Sequence, residues 1–90
     1  MKITFRKKFL KELANLPAKD RKKIEIFVFE ELENCKTINN VKGIEKLTGY
    51  TSFYKIRFGD YRVGIRFEND EFTLERVMHR KEIYKFFPKY

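Results

Sequence analysis

The chain has 90 residues, the length of one small domain, and its 21 Lys and Arg against 13 Asp and Glu give a net charge of +8. No run approaches the about 18 apolar residues of a membrane-spanning helix, the charged N-terminus is not expected to be a signal peptide, and the single cysteine excludes an internal disulfide framework. We therefore expect one domain, residues 1–90, in the cytoplasm, with a nucleic acid, an anionic membrane surface or an acidic protein as its partner.

The first half of the chain predicts a strand followed by a helical hairpin. Residues 2–5 alternate polar and apolar side chains, as a short strand does. The period then changes to that of an amphipathic helix, with its apolar side at Phe9, Leu10, Leu13 and Leu16. Pro17 ends this helix and suits the start of the next one. The second helix is predicted to run to about Cys35, with an apolar stripe at Ile24, Phe27, Val28, Leu32 and Cys35.

The second half predicts three strands and a short last helix. After a connector at residues 36–41, the period becomes two over residues 53–58, 61–67 and 71–78. Gly59-Asp60 and residues 68–70 are predicted to be the tight turns of an antiparallel meander, with a positive φ at the glycine. Residues 81–87 predict a short helix ended by Pro88. The order β-α-α-β-β-β-α indicates an α+β fold, with an N-terminal strand and a helical hairpin packed on an antiparallel sheet.

Side-chain alternation separates an apolar and a basic face in the first two meander strands. The apolar face is predicted to contain Tyr54, Ile56, Phe58, Tyr61, Val63, Ile65 and Phe67. The opposite face, here called the basic face, carries Lys55, Arg57, Arg62 and Arg66. A lone cation would be an ordinary solvated residue. Like charges facing each other are destabilising, however, and no carboxylate lies among these four, so the set favours an anion-binding site.

Other familiar site chemistries find little support in the sequence. His79 is the only histidine, which excludes a His pair and a multi-His metal site, and a structural or surface role suits it better than lone acid–base work. Cys35 lies on the helical apolar stripe and is expected to be buried. No glycine-rich phosphate loop or Cys-x-x-Cys pair occurs, and we expect neither a cofactor nor a metal. Phe86 and Phe87 are expected in the core, while the role of Tyr84 stays open.

Four segments together resemble the RelE/ParE superfamily of toxins. They are KLTG at residues 46–49, FYKIRF at 53–58, DYRV at 60–63 and MHRKEIY at 78–84. The superfamily pattern is Lys-Leu-x-Gly, a Tyr-Lys-Ile-Arg or -Lys strand, a Gly/Asp-Tyr-Arg strand and a closing His-Arg-x-x-x-Tyr. The resemblance covers nearly the whole chain and implies a microbial-RNase-like fold. It also implies a toxin of a type II toxin–antitoxin system.

The resemblance carries expectations for function and partners. In the RelE branch, the toxin enters the ribosomal A site and cuts the mRNA codon there, which inhibits translation. The implied partners are the ribosome, mRNA and a cognate antitoxin, expected to be acidic and encoded next to the toxin, with no membrane involved. Two alternatives stay open: a ParE-like poison of DNA gyrase, and a non-catalytic member that binds RNA or the antitoxin.

By motif, the resemblance also implies site residues. The catalytic positions fall on Lys55, Arg57, Arg62, Arg80 and Tyr84, and RNA-binding positions are expected at Lys46, Arg66, His79 and Lys81. Attack by the RNA's own 2′-OH needs a base, an acid and stabilisation of a charged phosphorane. Lys55 can exchange a proton, whereas the arginines, including Arg57 at a position that is often Lys in this branch, hold phosphate charge. Tyr84 could stack on a base or assist proton transfer.

Overall fold

A computed structural model describes residues 1–88 and has the predicted α+β architecture. One sheet contains five strands, namely β1 (Lys2–Phe5), β2 (Glu45–Lys46), β3 (Phe53–Phe58), β4 (Tyr61–Glu68) and β5 (Glu71–His79). The helices are α1 (Lys7–Ala14), α2 (Ala18–Ile26) and α3 (Ile83–Phe86). The strand order across the sheet is β1-β5-β4-β3-β2. The predicted element order is confirmed, with β2 as an addition.

The helical hairpin packs on one face of the sheet. In α1, Phe9 and Leu13 are buried as predicted, whereas Leu10 is 40% exposed and does not belong to the core. Beyond α2 the chain continues through a π-helical turn at Phe27–Glu31 and a 3₁₀ turn at Leu32–Asn34, so helical backbone does reach the neighbourhood of Cys35. The stripe of this segment is buried, apart from a half-buried Cys35. Within residues 1–88, no helix is long and apolar enough to cross a membrane.

The meander follows the predicted alternation. Ile56, Val63 and Ile65 are buried on the helix side of the sheet. The β3–β4 turn has Gly59 at φ +60°, and the β4–β5 turn has Asn69 and Asp70 at φ +53° and +60°. Left-handed backbone at these positions suits the tight hairpin turns that the sequence predicts.

Two pairings were not predicted. β1 lies parallel to β5, with Lys2 opposite Glu71 and Phe5 opposite Leu74, so the sheet is mixed rather than wholly antiparallel. Alternation predicts a strand but carries no information about a partner almost 70 residues away. β2 has only two residues, too few for any period to be visible. It pairs antiparallel with β3 and adds Glu45 to the sheet.

A single carboxylate ties α1 to the centre of β5. Arg76 donates from Nε to both oxygens of Glu12 at 3.1 Å, and from Nη2 to Oε2 at 2.7 Å. The backbone N–H of Val77 donates to Glu12 Oε1 at 3.1 Å. Both side chains are about four-fifths buried, at 19% and 22% exposure. The bidentate, partly buried geometry makes this contact stronger than an exposed ion pair.

Candidate functional site

The register of β3 and β4 confirms the basic face. Arg57 lies directly opposite Arg62, and Lys55 lies opposite Gly64. Arg66 lies opposite Phe53, further along the same face. The helical hairpin covers the other side, which holds Ile56 and the rest of the predicted apolar face, so the four cations share a surface that the hairpin leaves open.

Lys55 meets Tyr84 across the sheet surface. Its Nζ donates a hydrogen bond to the Tyr84 hydroxyl at 3.0 Å and lies 5.5 Å from the centre of the tyrosine ring. Tyr84 comes from α3 and is 53% exposed. No carboxylate within residues 1–88 lies within 4.0 Å of this ammonium group. The structure thus places two of the expected catalytic groups in contact, and no acid in the described part of the chain neutralises the lysine charge.

Arg57 and Arg62 have different partners although they face each other. The Arg57 Nε lies 3.1 Å from Oε1 of Glu45, whereas Arg62 donates from Nη1 to the carbonyl oxygens of Gly59 at 2.6 Å and Tyr61 at 3.0 Å. No carboxylate lies among the basic-face residues of 53–58 and 61–67, as predicted, but two carboxylates reach the face from just outside these segments. Glu68, the last residue of β4, pairs with Arg66, and Glu45 pairs with Arg57. Glu45 lies opposite Lys55 in register and arrives on β2, a strand that the sequence did not reveal.

Arg80 joins this end of the face through the hairpin turn. Its backbone N–H donates to the Asp60 carbonyl at 2.8 Å, and its Nε lies 3.7 Å from the Asp60 carboxylate. Asp60 belongs to the turn that follows Arg57 and precedes Arg62. The three arginines of the expected catalytic set are therefore attached to one end of the β3–β4 hairpin.

The four expected RNA-binding residues do not form one group. Arg66 lies on the basic face, and Lys81 is exposed in the turn after β5. Lys46 is in register with Tyr54, which packs against the main core, so Lys46 belongs to the opposite side of the sheet. His79 is likewise in register with Tyr61, and its Nδ1 accepts the Lys81 N–H at 3.1 Å. Lys46 and His79 were expected to bind RNA because they lie in the family motifs, not because side-chain alternation placed them on the basic face.

Comparison with known proteins decides the family. The profile of the ParE toxin of type II toxin–antitoxin systems matches residues 3–84. Toxin RelE3 of Methanocaldococcus jannaschii is 43% identical over 98% of this chain and 100% of its own length. The chain belongs to the RelE/ParE toxin superfamily. A chain of the RelB–RelE antitoxin–toxin complex from Methanococcus jannaschii is 40% identical, with a TM-score of 0.79 and coverage of 94% of this chain and 99% of that one.

A more distant relative shares the fold of the toxin. A chain of the RelBE2 toxin–antitoxin complex from Mycobacterium tuberculosis superimposes with a TM-score of 0.67 at 21% identity, covering 88% of this chain and 96% of that one. At this identity the match concerns the architecture alone. The toxin is therefore a RelE-like member of a type II toxin–antitoxin system, with the fold that its sequence motifs implied.

A small second core holds α3 of the toxin on the basic side of the sheet. It consists of buried Phe53, Ile83 and Phe87, with Leu47 and Met78 packed around them. Burial of Phe87 was predicted and is confirmed, but Phe86 is 42% exposed, contrary to the prediction. The sequence did contain a signal for this second core: Phe53 shares the basic face with Lys55 and Arg57. An exposed phenylalanine there would be unfavourable, so another apolar element has to pack over it. The helix that packs there is α3, and its packing positions Tyr84 beside Lys55.

Gly64 leaves the space that Phe87 occupies. A Cβ at Gly64 would come within 2.7 Å of the Phe87 ring. We expect Gly64→Ala to displace Phe87 and loosen α3 at a cost of about 1–3 kcal/mol. The Phe87 amide, which donates to the Ile83 carbonyl at 2.8 Å, should then exchange its hydrogen about 5- to 150-fold faster. Hydrogen exchange followed by NMR measures this. Unchanged exchange at Phe87, with unchanged α1 amides as the internal control, would show that Gly64 does not seat α3.

Proposed function

We propose that this toxin is a ribosome-dependent mRNA endonuclease that inhibits translation by cutting the codon in the ribosomal A site. The observation that carries the proposal is the contact between Lys55 and Tyr84, 3.0 Å apart on a sheet face that also holds Arg57 and Arg62. The 43% identity with toxin RelE3 supports the RelE branch. In this reaction the RNA's own 2′-oxygen bonds to the neighbouring phosphorus and the bond from that phosphorus to the 5′-oxygen of the next nucleotide breaks. The products are a 2′,3′-cyclic phosphate and a 5′-hydroxyl.

Each proposed catalytic residue is assigned a step of this reaction according to the chemistry of its side chain. Lys55 and Tyr84 can exchange protons, so we assign them the proton transfers from the 2′-OH and to the leaving oxygen. Arg57, Arg62 and Arg80 are cationic, forked donors suited to phosphate oxygens. They would stabilise the extra negative charge of the phosphorane.

Two of these arginines would have to exchange partners when RNA binds. Arg57 lies against Glu45 and Arg80 against Asp60, with both arginine side chains more than half exposed. Exposed ion pairs contribute only about 0–1 kcal/mol, so a phosphate can displace the carboxylates at small cost. The ribosome would supply the rest by holding the mRNA in place, which accounts for the proposed dependence on it.

The four residues proposed to bind RNA around the catalytic residues lie in different places. Arg66 lies on the basic face itself, whereas Lys46, His79 and Lys81 would reach RNA from the margins of the sheet. We further propose that residues 1–90 act as one domain in the cytoplasm, where ribosomes and mRNA are found. The inhibitory partner would be an acidic antitoxin encoded beside the toxin, since the net charge is +8 and the similar archaeal RelE was solved in complex with RelB.

The test uses one defined mRNA in three reactions: with the toxin alone, with the toxin and translating ribosomes, and with ribosomes alone. Cleavage within codons is expected only when toxin and ribosomes are both present, and an equimolar cognate antitoxin should suppress it. Intact mRNA in the complete reaction, while translation is nevertheless inhibited, would contradict the proposal.

A ParE-like action on DNA gyrase is the second candidate, because the matching family profile is that of ParE. A supercoiling assay with purified gyrase separates the two activities. We expect neither inhibition of supercoiling nor accumulation of cleaved DNA. Trapped, cleaved DNA together with intact mRNA would assign the toxin to gyrase instead.

A further inference from the structure

A groove of about 780 Å³ lies on the basic side of the sheet, beyond α3. Its walls come from the end of β1 and the start of α1, from β4 and β5, and from the segment after Tyr84; the lining includes Arg6, Lys7, Lys8, Arg66, Arg76 and Phe86. Phe87 packs over Gly64, and Gly64 lies between Lys55 on β3 and Arg76 on β5. The groove and the Lys55–Tyr84 contact are therefore on opposite sides of the Phe87 ring. None of the proposed catalytic residues lines it.

Positive charge dominates this groove. Among the described residues, five cations line it against one carboxylate, Glu75. Glu75 lies 3.5 Å from Arg6, while Arg76 is held by Glu12 and Arg66 is paired with Glu68. Neither Lys7 nor Lys8 has a carboxylate of residues 1–88 within 4.0 Å, and both are exposed. Convergent cations around a cavity raise the local potential and favour an anion, and the two lysines supply charge that no acid of residues 1–88 offsets.

A local irregularity of β5 places both Glu75 and Arg76 in the groove. Gly64 is in register with Arg76 but the next residue, Ile65, is in register with Leu74, so Glu75 is an extra residue on β5. Such a bulge turns neighbouring side chains toward the same region, which strict alternation would forbid. Glu75 and Arg76 consequently both line the cavity.

The groove also presents an aromatic surface. The Phe86 ring is 42% exposed, and the Arg76 guanidinium carbon lies 5.6 Å from its centre. Phe53 and Phe87 complete the apolar wall. A simple acidic peptide would use only the cations, and a lipid surface would need a wider apolar patch. Phosphate-binding cations beside an exposed ring are the combination with which proteins hold single-stranded nucleic acid.

We propose that this groove is a second RNA subsite, which binds a phosphate on Lys7 and Lys8 and stacks a base on Phe86. The inference rests on the proposed mRNA cleavage, and the bound unit is a nucleotide of single-stranded RNA adjoining the cleaved codon. The cavity volume lies within the roughly 300–1,000 Å³ of small-molecule sites, enough for a nucleotide and not for a duplex. The toxin then holds its RNA on both sides of the Phe87 ring.

Binding of a labelled oligonucleotide to the free toxin tests the groove without the ribosome. The probe is a fluorescent six-nucleotide oligoadenylate with 2′-O-methyl groups, which cannot be cleaved through a 2′-OH. Lys7→Gln combined with Lys8→Gln should weaken binding and reduce the slope of log Kd against log salt by about 0.7, the value for one phosphate contact with a single strand. Phe86→Ala should weaken binding about 5- to 150-fold, corresponding to one stacked base.

The matched control is Lys22→Gln combined with Lys23→Gln, which removes two exposed charges from α2, outside the groove. It should leave the salt slope unchanged, and thermal melting should show that all variants fold. The proposal is wrong if the groove variants bind like the parent, if the control loses as much, or if polyglutamate displaces the probe more readily than unlabelled oligoadenylate does. The last outcome would assign the groove to an acidic peptide. Because these assays omit the ribosome, failure here leaves the mRNA cleavage test unaffected.

Discussion

Replacing Lys55 and Arg62 together by alanine should abolish codon-specific mRNA cleavage while the toxin stays folded. Lys55 is assigned a proton transfer, which contributes on the order of 10²–10⁴ to a rate, and Arg62 is assigned charge stabilisation of similar size. Since residues acting on one transition state are not additive, we expect a loss on the order of 10⁴ rather than the product of the two effects. Neither side chain pairs with a carboxylate of residues 1–88, so their removal leaves no described acid without its cation.

Single-turnover cleavage on purified ribosomes measures this loss. Lys22→Ala with Lys23→Ala removes the same charge from α2 and should cleave at the parental rate. Tyr84→Phe keeps the ring but removes the hydroxyl that accepts the Lys55 hydrogen bond, so it separates stacking from proton transfer. Parental cleavage by the Lys55 and Arg62 double variant would refute the assigned catalytic face.

Glu12→Ala should be the most destabilising of the proposed single substitutions. It leaves the largely buried Arg76 guanidinium without its bidentate partner and removes the acceptor of the Val77 N–H. Charged hydrogen bonds of this kind contribute about 1.5–3 kcal/mol, so we expect a loss of about 2–3 kcal/mol in the free energy of unfolding. For a domain of this size, Tm should fall by about 8–24 °C.

Urea and thermal unfolding measure the effect of this substitution. Glu30→Ala is the matched control, because Glu30 is exposed and its removal should change stability by no more than about 0.5 kcal/mol. Equal stability of the two variants would show that the Glu12–Arg76 contact does not hold α1 on the sheet. Because Arg76 also lines the groove, Glu12→Ala is unsuitable for the RNA-binding test.

Periodicity was sufficient for the features that depend on local geometry. The alternation in residues 53–67 predicts which side chains share each face, and the register confirms it down to Arg57 opposite Arg62. The two hairpin turns follow from Gly59 and from the Asn69-Asp70 pair, whose backbone is left-handed in the structure. These features need only a few neighbouring residues.

Long-range contacts lay beyond that reasoning. The parallel pairing of β1 with β5, the arrival of Glu45 beside Arg57 and the fit of Phe87 over Gly64 join residues that are distant in sequence. The prediction that Phe86 is buried failed for the same reason, because only the docking of α3 decides which of the two adjacent phenylalanines faces the sheet. Tyr84 was placed in the candidate site by the family motif rather than by periodicity, and the structure brings it to Lys55.

The chemical ends of the cut mRNA test the proposed reaction most directly. Purified ribosomes would carry one defined codon in the A site, either as RNA or with 2′-deoxy nucleotides throughout that codon. Attack by the 2′-OH predicts a 2′,3′-cyclic phosphate on the upstream fragment, a 5′-hydroxyl on the downstream fragment, and no cleavage of the deoxy codon. Fragments ending in a 3′-hydroxyl and a 5′-phosphate, or cleavage of the deoxy codon, would contradict the mechanism assigned to Lys55, Tyr84 and the arginines.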